Sequence, residues 1–160
     1  MTISRQARRL LLAAAATALI AACDRQTVYT HYEHPPTTGW DKNDTLNFRV
    51  SAIEQGGIYR EEVRLRINTL YPFQGLCLIV EQQRLPMGIT RSDTLNCSLI
   101  DSKGNMKGKG VTSFQYSFPL TDIELNPGDS LSIGIRHNMK REILPGITDI
   151  GVNLRSRPRK

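Results

Sequence analysis

From Thr45 onward the chain alternates apolar and polar residues with a period of two. Leu46, Phe48 and Val50 alternate with Asn47, Arg49 and Ser51. Val63, Leu65 and Ile67 alternate with Glu62, Arg64 and Arg66, and Leu131, Ile133 and Ile135 with Ser130, Ser132 and Gly134. Phe114, Tyr116 and Phe118 repeat the pattern, as do Ile150, Val152 and Leu154. Successive side chains of a strand point to opposite faces, so each run predicts a strand with one face in a core. Leu76 to Val80 is apolar at every position, which predicts a central strand over Gln74 to Gln83 covered on both faces. Turn signals at Gly56-Gly57, Pro86-Met87-Gly88, Lys103-Gly104-Asn105, Asn126-Pro127-Gly128 and Pro145-Gly146 divide the runs into about seven or eight strands.

The expected fold is therefore all-β, an antiparallel β-sandwich over residues 45–155. Jelly-roll, Ig-like and partly closed barrel orders share this signature. Helical spacing is confined to His137 to Leu144, which Pro145 would end. Trp40 is expected to plug the end of the sandwich, with a partner or membrane contact as the sharper alternative. Tyr71-Pro72-Phe73 reads as a strand-edge bend with both aromatics inward. Arg64 and Arg66, beside Glu61 and Glu62, read as a solvated strand face.

The N-terminus has a different pattern. An apolar run from Leu10 to Ile20 follows Arg5, Arg8 and Arg9 and ends in Ile20-Ala21-Ala22-Cys23. A basic n-region, a short apolar run and small residues before a Cys form a bacterial lipoprotein signal. The run is well short of the roughly 20 apolar residues a membrane-spanning helix needs. Residues 1–22 are thus expected to be removed and Cys23 acylated, so that the protein lies on a membrane through lipid chains without crossing it. Residues 23–44, polar and carrying Pro35-Pro36, read as the lipidated N-terminus and a linker. Residues 156–160 form a basic tail.

The signal holds three of the 21 basic residues and none of the 15 acidic ones, so the formal charge of +6 falls to +3 in the mature chain. That mild excess, in an exported protein without a nucleic-acid motif, argues against nucleic acid as a partner. Arg155, Arg157, Arg159 and Lys160 are the one dense cluster, either a solvated terminus or a contact for acidic headgroups, polysaccharide or protein.

No chemistry of catalysis stands out. His31, His34 and His137 lack metal-ligand spacing, and there is no nucleophile elbow, phosphate loop or cysteine with a matching histidine set. Asp41, Asn43 and Asp44 could offer oxygens to calcium, but the glycine and distant Glu of a calcium loop are missing, so a strand entry is expected. No catalytic residue, metal or cofactor is predicted.

Particular residues carry a family resemblance. Cys23-Asp24, Val28-Tyr29 and Gly39-Trp40 precede the first clear strand. Tyr71-Pro72-Phe73 comes before Leu78-Ile79-Val80, and Gly146-Ile147-Thr148-Asp149-Ile150-Gly151 closes the chain. In this the chain resembles the gliding-motility lipoprotein GldH family of Bacteroidota, from the lipobox almost to the C-terminus. The basic tail and the pair Cys77 and Cys97 depart from it. The resemblance implies a non-enzymatic accessory subunit of the gliding-motility and type IX secretion machinery of the cell envelope. It would be lipid-anchored to the outer or inner membrane, facing the periplasm, with envelope proteins as partners. The alternative is a β-sandwich lipoprotein that binds glycans, which rests on fold class alone.

Two modifications remain open. A hairpin centred on Met87 pairs residues whose numbers sum to 174, Cys77 and Cys97 among them, and export supplies an oxidising setting for a disulfide. Two free core cysteines are the other outcome, since a one-residue slip would separate the pair. Asp44-Thr45-Leu46, Asp93-Thr94-Leu95 and Asp129-Ser130-Leu131 match the Asp-(Ser/Thr)-apolar pattern of O-glycosylation on exported Bacteroidota proteins, making Thr45, Thr94 and Ser130 candidate acceptors. Ordinary strand-entry chemistry would place the same residues there.

Overall fold

The structure, a computed structural model, describes residues 26–157, and among them there is no helix. The alternating runs become two antiparallel sheets packed face to face. One contains β1 (Thr27–Glu33), β11 (Ile147–Ser156), β4 (Gly57–Asn68) and β7 (Ser113–Pro119) in that order, with the short β8 (Ile123–Leu125) also paired to β4. The other has the order β3 (Leu46–Val50), β9 (Ser130–His137), β5 (Gly75–Leu85), β6 (Ile89–Ser98). A two-residue pairing of β2 (Trp40–Asp41) with β10 (Ile143–Leu144) closes one end.

The core lies where the period-two pattern places it. Val63, Leu65 and Ile67 of β4, Ile150, Val152 and Leu154 of β11, and Phe48 and Val50 of β3 are buried, as are Leu131, Ile133 and Ile135 of β9. Strands β3, β4, β7 and β9 therefore follow the sandwich expectation, and the sheets do not close into a barrel. Each sheet contributes its apolar face, and the removal of these side chains from water is the main favourable term.

Four local expectations are corrected. The stretch read as linker contributes β1, which pairs with β11 from Thr27↔Arg155 to Glu33↔Ile150, so the domain begins some twenty residues earlier than the apolar alternation suggested. The strand over Gln74 to Gln83 is central in its sheet but covered on one face: Leu76, Leu78, Val80 and Gln82 are buried, whereas Cys77 and Ile79 are half-buried and Glu81 is exposed. The strand buried on both faces is β11, where every residue from Ile150 to Leu154 is buried. The His137–Leu144 stretch forms no helical turn; after β9 it loops into β10, and Gly146, with φ of 80°, turns the chain into β11.

Gly39 and Gly146 show why glycine stands in Gly39-Trp40 and at the start of Gly146-Ile147-Thr148-Asp149. Gly39 has φ of 123°, and a Cβ there would meet the Ile143 side chain at 2.5 Å. At Gly146 a Cβ would lie 2.3 Å from the Tyr71 backbone nitrogen. Neither position tolerates a side chain without displacing backbone or core. Trp40 follows Gly39 directly and is wholly buried, plugging this end as expected. Tyr71 is buried, its ring set edge-on to Phe73 at 5.7 Å, and its hydroxyl donates to the Gly75 carbonyl at 2.9 Å.

Candidate functional site

The hairpin that would carry a disulfide is one residue out of the expected register. Its last pair is Arg84↔Ile89, enclosing Leu85 to Gly88, so paired numbers sum to 173. Cys77 lies opposite Asn96 and Cys97 opposite Leu76. An even-length loop forces an odd sum, and an odd sum sends the two cysteines to opposite faces of the sheet. Both thiols are free, Cys97 in the core and Cys77 on the outer face. Burial pushes the Cys97 thiol up to about 12, where it is inert. Titration with a chromogenic disulfide should therefore count Cys77 in the native protein and Cys97 only after unfolding. Loss of both thiols in unreduced, unfolded protein would mean that they had paired.

The three Asp-(Ser/Thr)-Leu triplets sit in unlike places. Thr45 and Thr94 are exposed, Thr45 at the entry to β3 and Thr94 midway along β6. Ser130 is half-buried behind a buried Asp129, whose carboxylate accepts from the Asn126 N–H at 2.6 Å and pairs with Arg84 at 2.5 Å. That triplet has a fold-making role. Asp41 likewise works as turn chemistry, its Oδ1 accepting from the Asn43 N–H at 2.8 Å. Cys23 lies outside the described residues.

The histidines do not converge. His31 meets Glu33 at 3.0 Å at an edge, and His34 meets Asp149 at 2.7 Å. His137 is buried, its Nε2 3.1 Å from the Trp40 carbonyl and its ring edge-on to the indole at 5.2 Å, and burial lowers its pKa. Among the described residues, no three His, Cys, Asp or Glu side chains gather as metal ligands.

Two polar features were not anticipated. The outer face of the β1-β11-β4-β7 sheet carries a cross-strand network in which Thr30 Oγ1 donates to Asn153 Oδ1 at 2.6 Å. The Asn153 amide and Ser117 hydroxyl both reach Glu62 Oε2, at 3.4 and 3.1 Å. Beside it the Tyr32 ring packs over Gly151, and the Arg66 guanidinium stands 4.5 Å from the ring centroid. Arg64 and Arg66 are on this face, as the solvated-strand expectation has it.

Glu61 is not; it points into the core with no exposed surface, and the Gln82 amide donates to its Oε2 at 3.0 Å across the two sheets. Burial raises the Glu61 pKa to about 7, against the lowering influence of that hydrogen bond and of Arg91. The signal was present, because Glu61 is in phase with Val63, Leu65 and Ile67, and Gln82 with Leu76, Leu78 and Val80.

These positions make the motif residues legible as architecture. Gly39-Trp40, Tyr71-Pro72-Phe73 and Gly146-Ile147 meet at one end of the sandwich: Asn68 donates its N–H to the Gly146 carbonyl at 2.8 Å, and Trp40 pairs with Leu144. The GldH lipoprotein family matches residues 27–154, from the first residue of β1 almost to the end of β11. The chain belongs to the GldH lipoprotein family. It is 31% identical over 152 residues to the gliding motility lipoprotein GldH of Flavobacterium johnsoniae, covering 91% of this chain and 92% of that protein. It is 26% identical over 145 residues to a GldH homolog of Christiangramia forsetii, covering 85% and 88%. Among solved structures, a GH115 4-O-methyl-α-glucuronidase aligns over 85% of this chain and 18% of its own with TM-score 0.49 and 15% identity, a likeness that carries no functional argument. The GldH match begins at β1, not at the apolar alternation of β3, in agreement with the strand found in the supposed linker.

Proposed function

We propose that this protein is a lipid-anchored, non-enzymatic accessory subunit of the gliding-motility and type IX secretion machinery, held to a membrane of the cell envelope through acylated Cys23 and facing the periplasm. The observation that carries this reading is the GldH match across the whole folded domain. The non-enzymatic part draws support from where the motif residues lie, since Gly39, Trp40, Tyr71 and Gly146 are engaged in packing and turns.

Two measurements on one preparation test it. Cross-linked, detergent-solubilised envelope should yield motility or secretion proteins with the wild-type chain. Cys23→Ala should leave the membrane fraction after a salt wash and lose those partners. Retention on a glycan matrix without protein partners would overturn the reading in favour of a glycan-binding module.

The exposed acceptors Thr45 and Thr94 are proposed sites of O-glycosylation, and Ser130, behind its buried aspartate, is not. Native protein should show mass beyond peptide and lipid that falls when Thr45 and Thr94 are both changed to Ala. A native mass accounted for by peptide and lipid alone ends this idea.

A further inference from the structure

Both ends of the described chain emerge at the same end of the sandwich. The Ser156 N–H donates to the Gln26 carbonyl at 2.6 Å, and the Arg157 N–H donates to the Ile58 carbonyl at 2.9 Å. The hairpin tip between β5 and β6 lies at this end as well: Leu85 pairs with Ser130, and Arg84 joins Asp129 and, at 3.1 Å, the Glu124 carbonyl of β8. The apolar side chains exposed here are Val28, Ile58, Leu85, Met87 and Ile89, with Met87 at 64%. Asp122 at this end is held by Arg157 at 2.5 Å and Arg60 at 3.9 Å.

Cys23 precedes Gln26 by three residues. At no more than about 3.6 Å per residue, the lipidated cysteine lies within about 11 Å of a residue already pinned to β11. The headgroup layer of a bilayer is itself about 5–7 Å deep on each side. A domain tethered so closely cannot stand away from the membrane, and the end that touches carries the apolar hairpin tip.

We propose that this end of the sandwich docks on the phospholipid bilayer, with Met87 and its neighbours Leu85 and Ile89 entering the interface. The strands then stand on the membrane, and the end built from Gly39-Trp40, Tyr71 and Gly146 points away toward partners. Apolar tips add to acyl anchoring in proportion to the area they bury, as interfacial segments do. The opposite end also exposes Leu70, Val111 and Ile143, and the position of the tether decides between the two ends. The inference rests on the acylation of Cys23.

Depth-dependent quenching tests it with the full lipidated protein. Met87→Trp, Ile89→Trp and Val111→Trp each add one reporter to the native Trp40, which is wholly buried at the far end and gives a constant background. The proteins are reconstituted in phosphatidylethanolamine–phosphatidylglycerol vesicles with brominated acyl chains, and the intact mass of the same samples is measured. Docking predicts a blue shift and loss of most of the added emission at positions 87 and 89, with none at 111. Acylated protein whose reporters at 87 and 89 are unquenched, or no more quenched than at 111, overturns the docking while leaving the anchor. A mass without acyl chains overturns the anchor and the docking together.

Discussion

Replacing Trp40 with Ala should destabilise the domain by about 3–5 kcal/mol, the range for emptying a buried aromatic site. The indole is wholly buried, and its Nε1–H donates to the Asp44 carbonyl at 3.0 Å. Its backbone pairs with Leu144 and its carbonyl faces His137, so the ring is the plug on which β2, β10 and the end of β9 close. Gly39 before it packs directly against Ile143 and the Leu144 carbonyl, so this end is closely packed. Trp40→Phe keeps an aromatic ring but strands the Asp44 carbonyl, a loss nearer about 1–2 kcal/mol. Urea unfolding followed by far-ultraviolet circular dichroism is the suitable measurement, because the substitution removes the only tryptophan. A loss below about 1 kcal/mol for Trp40→Ala would show that this end closes without its plug, contrary to the cost of a cavity that size.

The strands that a period of two reveals are those whose inward positions are all apolar. Strands β3, β4, β7 and β9 announce themselves because their buried residues are Phe, Val, Leu, Ile and Tyr, and polar ones intervene. Strand β1 does not, since the side chains it turns toward the core face are Tyr29, His31 and Glu33, and an edge strand need not be apolar to be held by β11. The two-residue strands β2 and β10 have no period to detect. A run of five apolar residues signals a central strand correctly, as β5 shows, yet cannot reveal whether anything covers its second face; Cys77 and Ile79 have only partial cover. The disulfide failed on loop parity, a property of the turn that neither cysteine reports. The docking end is equally hidden, because Val28, Ile58 and Met87 fall at one end of the sandwich only when the strands are given directions. The family motifs, in contrast, were readable as residues, but their common purpose at one end of the sandwich required the pairing of Trp40 with Leu144 and the approach of Gly146 to Tyr71.

Glu61 offers the second large effect, and its sign is unusual for a carboxylate. Most native carboxylates are lowered by partners and stabilise a protein as pH rises; Glu61 is raised, from 4.5 to about 7, because the sandwich interior removes it from water. A raised carboxyl binds its proton more tightly folded than unfolded, so its contribution is fully present below pH 4.5 and is lost as pH rises through about 7. The size of that loss is about 3 kcal/mol, at 1.36 kcal/mol for each unit of difference. Gln82 cannot prevent it: its amide supplies one hydrogen bond to Oε2, while Glu61 Oε1 and Gln82 Oε1 are buried without a partner. Glu61→Gln keeps the shape and the neutral state at every pH. The variant should match the wild type near pH 4 and exceed its unfolding free energy by about 3 kcal/mol at pH 9, with the gap opening between those limits. Urea midpoints of both proteins measured across that range isolate the group, because every other titration is shared. A gap that stays level from pH 4 to pH 9 would mean that the carboxyl is hydrated in solution, and that the β4 and β5 faces separate enough at this point to admit water.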